Sequence, residues 1–374
     1  MAACEASGEP IRLFMTTDAV GGVWQYALDL ARGLQPSGVQ TTLAVLGPAP
    51  TEDQMQTAAA VEGLRVIRAD FPLEWLALSG GIVEAAGAAV AAMARESGAD
   101  VVHLNTPALG AEGGFTCPVV AAAHSCVATW WKAVGEGPMP NDFAWRTALV
   151  RRGYANADRL IAPSAAFAEA TKEVYGLDEA PAVVRNGRKR SRLETSEHLG
   201  DFVFTAGRLW DPGKGLEVLD RAAQRISTLV VAAGPLSGPH GQSVPLPHVR
   251  CLGRVDDAEV ARRLAARPVF VSPSLYEPFG LAVLEAAQAG CALVLSDIPT
   301  FRELWGGAAV FTPPGDDAAL ADALQRLMLD PELRLELGAA ALKRSRRYTV
   351  KAMAERVHGV YRELLTERAG VRAA

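Results

Sequence analysis

Short apolar runs alternate with Ala- and Leu-rich amphipathic stretches along nearly the whole chain, the pattern made when strand-helix units wind around parallel sheets. The first unit opens with a buried strand at Ile11 to Thr16 and passes through the loop Thr17 to Gly22. It then enters a helix whose apolar positions Trp24, Leu28, Ala31 and Leu34 recur at helical spacing. Further strands are predicted at Thr41 to Leu46, in LRVIRA, at Asp100 to Asn105, and in PVVAAAH and RLIAPS. A second series starts at Phe202 to Gly207 and continues through TLVVAAG, VRCLGR, Pro268 to Ser274, Ala292 to Asp297 and AAVFTP. Helices are predicted from Asp317 to Leu329 and from Lys351 to about Arg368. The polar, turn-rich VVRNGRKRSRLETSEHLGD between the two series reads as a hinge. The expected organisation is a Rossmann-like domain over 1–190, a second over 191–350, and a C-terminal helix over 351–374 that packs back on the first domain. The fold class is α/β, two nucleotide-fold domains facing one another, with ligand at the C-terminal ends of the strands.

Composition narrows the partners. Of 374 residues, 49% are hydrophobic and 21% charged, ordinary values for a globular chain. A net charge of −5 argues against nucleic acid as the main partner, because that binding draws on a strong positive field. The basic runs Arg188-Lys189-Arg190-Ser191-Arg192 and Lys343-Arg344-Ser345-Arg346-Arg347 are read as a solvated loop and helix face and receive no site. The five cysteines Cys4, Cys117, Cys126, Cys251 and Cys291 are widely spaced, with no Cys-x-x-Cys pair. That suits a reducing compartment and offers no metal or redox motif. MAACEASGEP has no apolar run of the kind a signal peptide needs, and no segment reaches the length of a membrane span. The expectation is a cytoplasmic protein, with peripheral contact at the inner face of a membrane left open. Gly234 to His248, rich in Pro and Gly, is read as a surface excursion.

Chemistry concentrates in three places. In PSLYEPFGLAVLEAAQAGC, from Pro273 to Cys291, Glu277 follows a buried strand and Pro278 stands near a first helical position. A helix-favouring stretch then runs to Ala289, with Gly290 as its stop. The helix start exposes free N–H groups near Phe279, Gly280 and Leu281, an anion site that Gly280 lets a ligand approach closely. Glu285 lies eight residues after Glu277, which at helical rise places the carboxylates about 12 Å apart. They are too far apart for a paired acid/base site. The spacing fits two hydroxyl-binding carboxylates at opposite ends of a nucleotide sugar, and equally a capping Glu and a helix-surface Glu.

In Ala206-Gly-Arg-Leu-Trp-Asp-Pro-Gly-Lys-Gly215, Arg208 and Lys214 sit in a glycine-rich strand-to-helix turn. Two fixed cations there can neutralise a leaving diphosphate in place of a metal ion, or can be plain surface charges. The Walker pattern is absent. In the loop Asp18-Ala-Val-Gly21-Gly22, backbone N–H groups can reach phosphate at the next helix start, although a tight turn also uses Gly-Gly. The absence of G-x-G-x-x-G leaves a dinucleotide cofactor unsupported.

Together, Glu277-x7-Glu285 within EPFGLAVLEA, Gly207-Arg208-Leu-x4-Lys214-Gly215, the Gly21-Gly22 loop and VRNGR at the hinge resemble the retaining glycosyltransferases of family 4, which have the GT-B fold. The resemblance spans nearly the whole chain. It implies a UDP-sugar or GDP-mannose donor held by the second domain and a hydroxyl acceptor on the first. No metal or resident cofactor is implied. By position, Glu285 would bind the ribose hydroxyls, Glu277 the donor sugar, and the Phe279-Gly280-Leu281 backbone the sugar and phosphate. Arg208 and Lys214 would stabilise the departing diphosphate, with help from Gly21 and Gly22. His124, in AAAHSC, falls where the family lines the sugar site, with Ser125 replacing the acidic neighbour often found there. Arg254 occupies the loop that meets the base. Asn105 and Asn186-Gly187 are read as structural. The family route is front-face attack, in which the departing phosphate takes the acceptor proton. Trp75, Trp130, Trp131 and Trp145 are either an acceptor-stacking platform or core. A nucleotide-sugar 2-epimerase and a silent nucleotide-sugar-binding subunit share the fold and remain as alternatives.

Overall fold

The computed structural model describes residues 10–239 and 241–373. Cys4 and the N-terminal segment read above, together with His240 in the Pro/Gly-rich excursion, lie outside the described residues. Thirteen strands are described in chain order: β1 (Arg12–Asp18), β2 (Gln40–Leu46), β3 (Leu64–Arg68), β4 (Val101–Leu104), β5 (Val119–Ala122), β6 (Arg159–Ala162) and β7 (Ala182–Val183), then β8 (Val203–Ala206), β9 (Val230–Ala233), β10 (Arg250–Cys251), β11 (Val269–Ser272), β12 (Ala292–Ser296) and β13 (Val310–Thr312). The helices are α1 (Gly22–Leu34), α2 (Glu52–Ala59), α3 (Gly80–Glu96), α4 (Val127–Val134), α5 (Asn141–Ala155), α6 (Ala165–Tyr175), α7 (Leu216–Gln224), α8 (Asp257–Ala265), α9 (Leu281–Gln288), α10 (Pro299–Trp305), α11 (Asp317–Leu329), α12 (Pro331–Ser345) and α13 (Val350–Ala373). No helix among the described residues is long and apolar enough to cross a membrane.

The strands form two all-parallel sheets, ordered β3-β2-β1-β4-β5-β6-β7 and β10-β9-β8-β11-β12-β13. Both orders reverse direction at their first strand, β1 against β4 and β8 against β11. These are the topological switch points where open α/β sheets bind ligands. The central strands are buried on both faces: Val101 to Leu104, Val119 to Ala122 and Val230 to Ala233 are buried throughout, and all but His103 are apolar. Helices on each side make that necessary.

Where structure and sequence differ, backbone chemistry explains the difference. Pro278 does not begin α9. Gly280 adopts left-handed φ +89° and caps the helix, so α9 starts at Leu281 and its free N–H groups belong to Leu281, Ala282 and Val283 rather than to Phe279 and Gly280. Helical rise therefore spans only the last part of the stretch from Glu277 to Glu285. Helix α12, absent from the sequence reading, is capped by Asp330 through its bond from Leu333 N and started by Pro331. It carries Lys343 and Arg344, and Arg344 is spent on the carbonyls of Leu304 and Glu303.

Met353, Val357, Tyr361 and Leu364 of α13 are buried in one core with Trp24, Leu28 and Ala31 of α1, each burial stabilising by about 1.5–3 kcal/mol. The chain thus returns from the second sheet to cover the first. Beside this crossing the backbone of Gly187 runs so close to Thr349 that a β-carbon would lie 2.1 Å from its carbonyl oxygen.

Candidate functional site

A cleft of about 1210 Å³ runs between the two switch points. Every residue given a catalytic or donor-binding role in the sequence lines it: Gly21, Gly22 and His124 from the first sheet's loops, and Arg208, Lys214, Arg254, Glu277, Phe279, Gly280, Leu281 and Glu285 from the second domain. Trp75, Trp130, Trp131 and Trp145 are not among its lining residues. The loops after β1 and β8 face each other across it.

The starts of α1 and α9 approach each other across the cleft. A β-carbon on Gly22 would lie 3.3 Å from Leu281 Cδ1, and one on Gly21 would lie 3.9 Å from an Arg208 guanidinium nitrogen. Neither helix has a side-chain cap, so their first N–H groups are unclaimed by caps. Two uncapped helix starts and a guanidinium converging on one space make an anion site. Asp18 shapes the first of these loops by accepting bonds from Val20 N at 2.8 Å and Gly21 N at 3.2 Å. Burial raises its carboxyl above the ordinary value, opposed by those N–H groups and by Arg208.

Glycines let the turn after β8 fold tightly, and Asp211 holds it. Asp211 accepts from Gly213 N at 2.9 Å and from Arg208 Nη2 at 2.9 Å, and across the domain boundary from Trp130 Nε1 at 3.0 Å. Burial works to raise its carboxyl, but Arg208, Lys214 and the Trp130 hydrogen bond together outweigh it and the net shift is downward. Trp130 is therefore an inter-domain hydrogen-bond donor. Lys214 Nζ donates to Glu277 Oε2 at 2.5 Å, with both side chains largely covered, 20% and 15% exposed. Tyr276 reaches back to the first domain, bonding Thr129 Oγ1 at 2.8 Å and Ser125 Oγ at 3.2 Å.

At the other end of the cleft the structure overturns one reading. Arg188, assigned to a solvated basic run, is 14% exposed and joins three elements. Its guanidinium donates to Glu285 Oε1 on α9 at 2.6 Å, and to Gln25 Oε1 and Asp29 Oδ2 on α1 at 3.0 Å each. Burial works to discharge it. The facing Glu285 and Asp29 outweigh that, and its proton is held more tightly than in water. Lys189, Arg190 and Arg192 also line the cleft. Composition could not show this, since a basic run is a solvated face unless the fold turns it inward.

His124 follows β5 and bonds through Nε2 to Asn105 Oδ1 at 2.8 Å. The edge of the Tyr26 ring packs on it, 4.4 Å between centroids. Burial holds the imidazole well below its ordinary range, at about 4, so it is neutral near pH 7. Asn105, expected to be structural, is its direct partner. Of Arg254 the structure shows placement along the cleft wall. Among the described residues no three His, Cys, Asp or Glu side chains converge as a metal-ligand set, and Cys117, Cys126, Cys251 and Cys291 are free.

Two Rossmann-type domains with their switch points facing across a cleft define the GT-B architecture. Solved structures agree. Sucrose-phosphate synthase from Thermosynechococcus elongatus matches with TM-score 0.79 at 20% identity, over 96% of this chain and 100% of that one. The Anabaena protein HepE, in complex with UDP and glucose, matches with TM-score 0.72 at 20% identity, over 94% and 99%. The family model described as Glycosyltransferase Family 4 matches residues 20–192, and that described as Glycosyl transferases group 1 matches residues 200–330. A phosphatidyl-myo-inositol mannosyltransferase of Mycobacterium tuberculosis is 30% identical over 74% of this chain and 76% of its own length. One from Mycobacterium leprae is 28% identical over 96% and 97%. The chain belongs to this family of glycosyltransferases, and it is a transferase of the glycosyl-transferring kind.

Proposed function

We propose that the chain is a retaining hexosyltransferase. It would move a sugar from a nucleoside diphosphate to a hydroxyl acceptor, with no metal required. The observation that carries this reading is the convergence of Arg208, Lys214 and the starts of α1 and α9 on one point of the cleft, with Glu277 beside it and Glu285 further along α9.

In this reading the diphosphate lies against the α1 and α9 N–H groups. Arg208 and Lys214 neutralise charge as the bond from the anomeric carbon to phosphate oxygen breaks. Glu277, kept in place by Lys214, takes hydroxyls of the donor sugar, and His124 lines the same sugar from the opposite wall. Glu285 takes the ribose hydroxyls, and the Arg254 loop meets the base. The acceptor hydroxyl attacks on the face that the phosphate leaves, and the departing phosphate oxygen takes its proton. Orientation and charge stabilisation, rather than an enzymic nucleophile, supply the rate. The domains divide near residue 190, with the donor on the second and the acceptor on the first.

UDP-hexose is the first donor to test and GDP-mannose the second, the latter because relatives are named mannosyltransferases. Their named acceptor, a phosphatidyl-inositol, makes a polyol hydroxyl at a membrane surface the first acceptor class to test. The deciding experiment incubates the protein with UDP-glucose, UDP-N-acetylglucosamine and GDP-mannose, with and without myo-inositol or phosphatidylinositol vesicles. Released nucleotide and sugar isomers are then followed. Nucleoside diphosphate release with glycosylated product of unchanged anomeric configuration is expected. Isomer exchange would make the protein an epimerase, binding without turnover would make it a silent subunit, and inverted product would refute retention.

A further inference from the structure

Asn105 follows the β4 strand at the first switch point and is 6% exposed. Its amide is tied down on both sides. Asn105 Nδ2 donates to the Thr16 carbonyl at 2.8 Å, and its backbone N donates to Thr16 Oγ1 at 3.0 Å. With the amide nitrogen spent on a carbonyl, which can only accept, the group turned toward His124 has to be the carbonyl oxygen Oδ1. An oxygen there has no proton to give. The 2.8 Å contact to His124 Nε2 is therefore a hydrogen bond only if Nε2 carries the proton.

A neutral imidazole carries one proton. Once it is fixed on Nε2, Nδ1 is left with its lone pair. Nδ1 has no protein partner among the described residues, and His124 lines the cleft. The ring cannot turn over to exchange the two nitrogens without losing the bond to Asn105. Tyr26 is buried, with its hydroxyl 3.4 Å from His103 Nε2, and His103 Nδ1 is 2.7 Å from the Tyr361 hydroxyl of α13. Asn105 also faces His103, and its carbonyl has lone pairs for both rings.

We infer that Asn105 is a positioning residue: through the Thr16-anchored amide it fixes His124 as the Nε2–H tautomer, so that the cleft presents a hydrogen-bond acceptor, Nδ1, to a hydroxyl of the donor sugar. A hydroxyl always has a proton to give, whereas a ring oxygen or a phosphate oxygen does not. The wall opposite Glu277 thus selects hydroxyl-bearing sugar faces and rejects phosphate, which belongs with the cations across the cleft. This inference rests on His124 facing the donor sugar, as proposed above.

The test is heteronuclear NMR of the donor-free protein labelled with ¹⁵N-histidine, with the His124 signals assigned by His124→Gln. A single Nε2–H tautomer is expected in the wild type and a mixture of both tautomers in Asn105→Ala. Asn105→Asp keeps the shape and the acceptor oxygen but adds a charge. It should hold the Nε2 proton and raise the His124 titration midpoint by more than one pH unit, which keeps the test available if the alanine variant does not fold. Turnover of whichever donor proves active should fall about tenfold in kcat/KM for Asn105→Ala, the loss of about one net hydrogen bond. Affinity for UDP alone, which lacks the transferred sugar, should be unchanged. An Nδ1–H or mixed tautomer in the wild type, an unchanged tautomer in Asn105→Ala, or an unchanged His124 titration midpoint in Asn105→Asp overturns the inference. Absence of turnover with every donor would instead count against the proposed function, since the tautomer measurement needs no substrate.

Discussion

Replacing Gly280 by alanine separates the cost of backbone strain from the work of the site. Gly280 has φ +89°, and a β-carbon would lie 3.2 Å from Phe301 Cε1, 3.3 Å from Val283 Cγ2 and 3.4 Å from Glu277 Cγ. Holding a non-glycine residue in the left-handed region costs about 1–2 kcal/mol, and the crowding adds a few tenths more. Gly290, at the other end of the same helix, has φ +76° with nothing within 4 Å of the added carbon. Gly290→Ala therefore carries the same strain without the crowding, at a residue that does not itself line the cleft. At about 2–4 °C per kcal/mol for a unit of this size, both variants should melt about 2–8 °C lower, Gly280→Ala lower than Gly290→Ala. Only Gly280→Ala displaces the start of α9 and Glu277, so only it should raise the donor KM, by about tenfold or more, equivalent to about 1.4 kcal/mol. Thermal unfolding and initial-rate kinetics on both proteins check this. Equal KM changes in the two, or a Gly280→Ala enzyme that is less stable but kinetically normal, would refute the placement of the diphosphate at the α9 start.

The other predictions follow from the same geometry. Lys214→Ala should lower kcat by about 10²–10³, the scale for losing one group that stabilises developing negative charge, with a smaller change in donor KM. If Arg208 and Lys214 supply that charge, excess EDTA should leave wild-type rates unchanged, and a loss restored by Mg²⁺ would overturn the assignment. Glu285→Ala should weaken binding of UDP or GDP themselves, by about 1.5–3 kcal/mol for charged hydrogen bonds, as read by calorimetry. On pH, burial holds His103 at about 3 and His124 at about 4, below the ordinary 6.5. Between about pH 4 and 6.5 the unfolded chain binds protons at these positions that the folded one does not, so stability should rise with pH through that window and level off above it. Glu74, raised to about 7 by burial, acts in the opposite sense above about 4.5 and offsets part of the rise. Urea midpoints at pH 5 and 7.5 for the wild type and His124→Asn check the sign, since the variant should show a shallower dependence.

Local chemistry wrote most of the elements into the chain. Apolar runs separated by amphipathic stretches dictate parallel strands and covering helices whatever their partners. The predicted helix from Asp317 to Leu329 is observed with those ends, because Asp316 caps it by accepting from Ala319 N. The glycine-rich turn after β8 and the strand-to-helix passage after β11 were legible as candidate phosphate sites, because such geometry demands particular residues at fixed offsets. The fold then places the candidates from both passages, together with Gly21, Gly22 and His124, along one cleft.

What the sequence could not decide is which side chains find each other across long separations. Arg188 looked like one more solvated cation, and only the crossing of hinge, α1 and α9 buries it between Asp29 and Glu285. Asn105 and His124 follow different strands, and nothing in either segment says that the amide oxygen fixes the ring's proton. Asp211 and Trp130 are likewise joined only because the two domains meet. Strand and helix formation are governed by neighbours within a few residues, so a sequence determines them nearly alone. The charge state, tautomer and exposure of a side chain depend on what the tertiary structure brings within about 3 Å, and that structure alone decided them here.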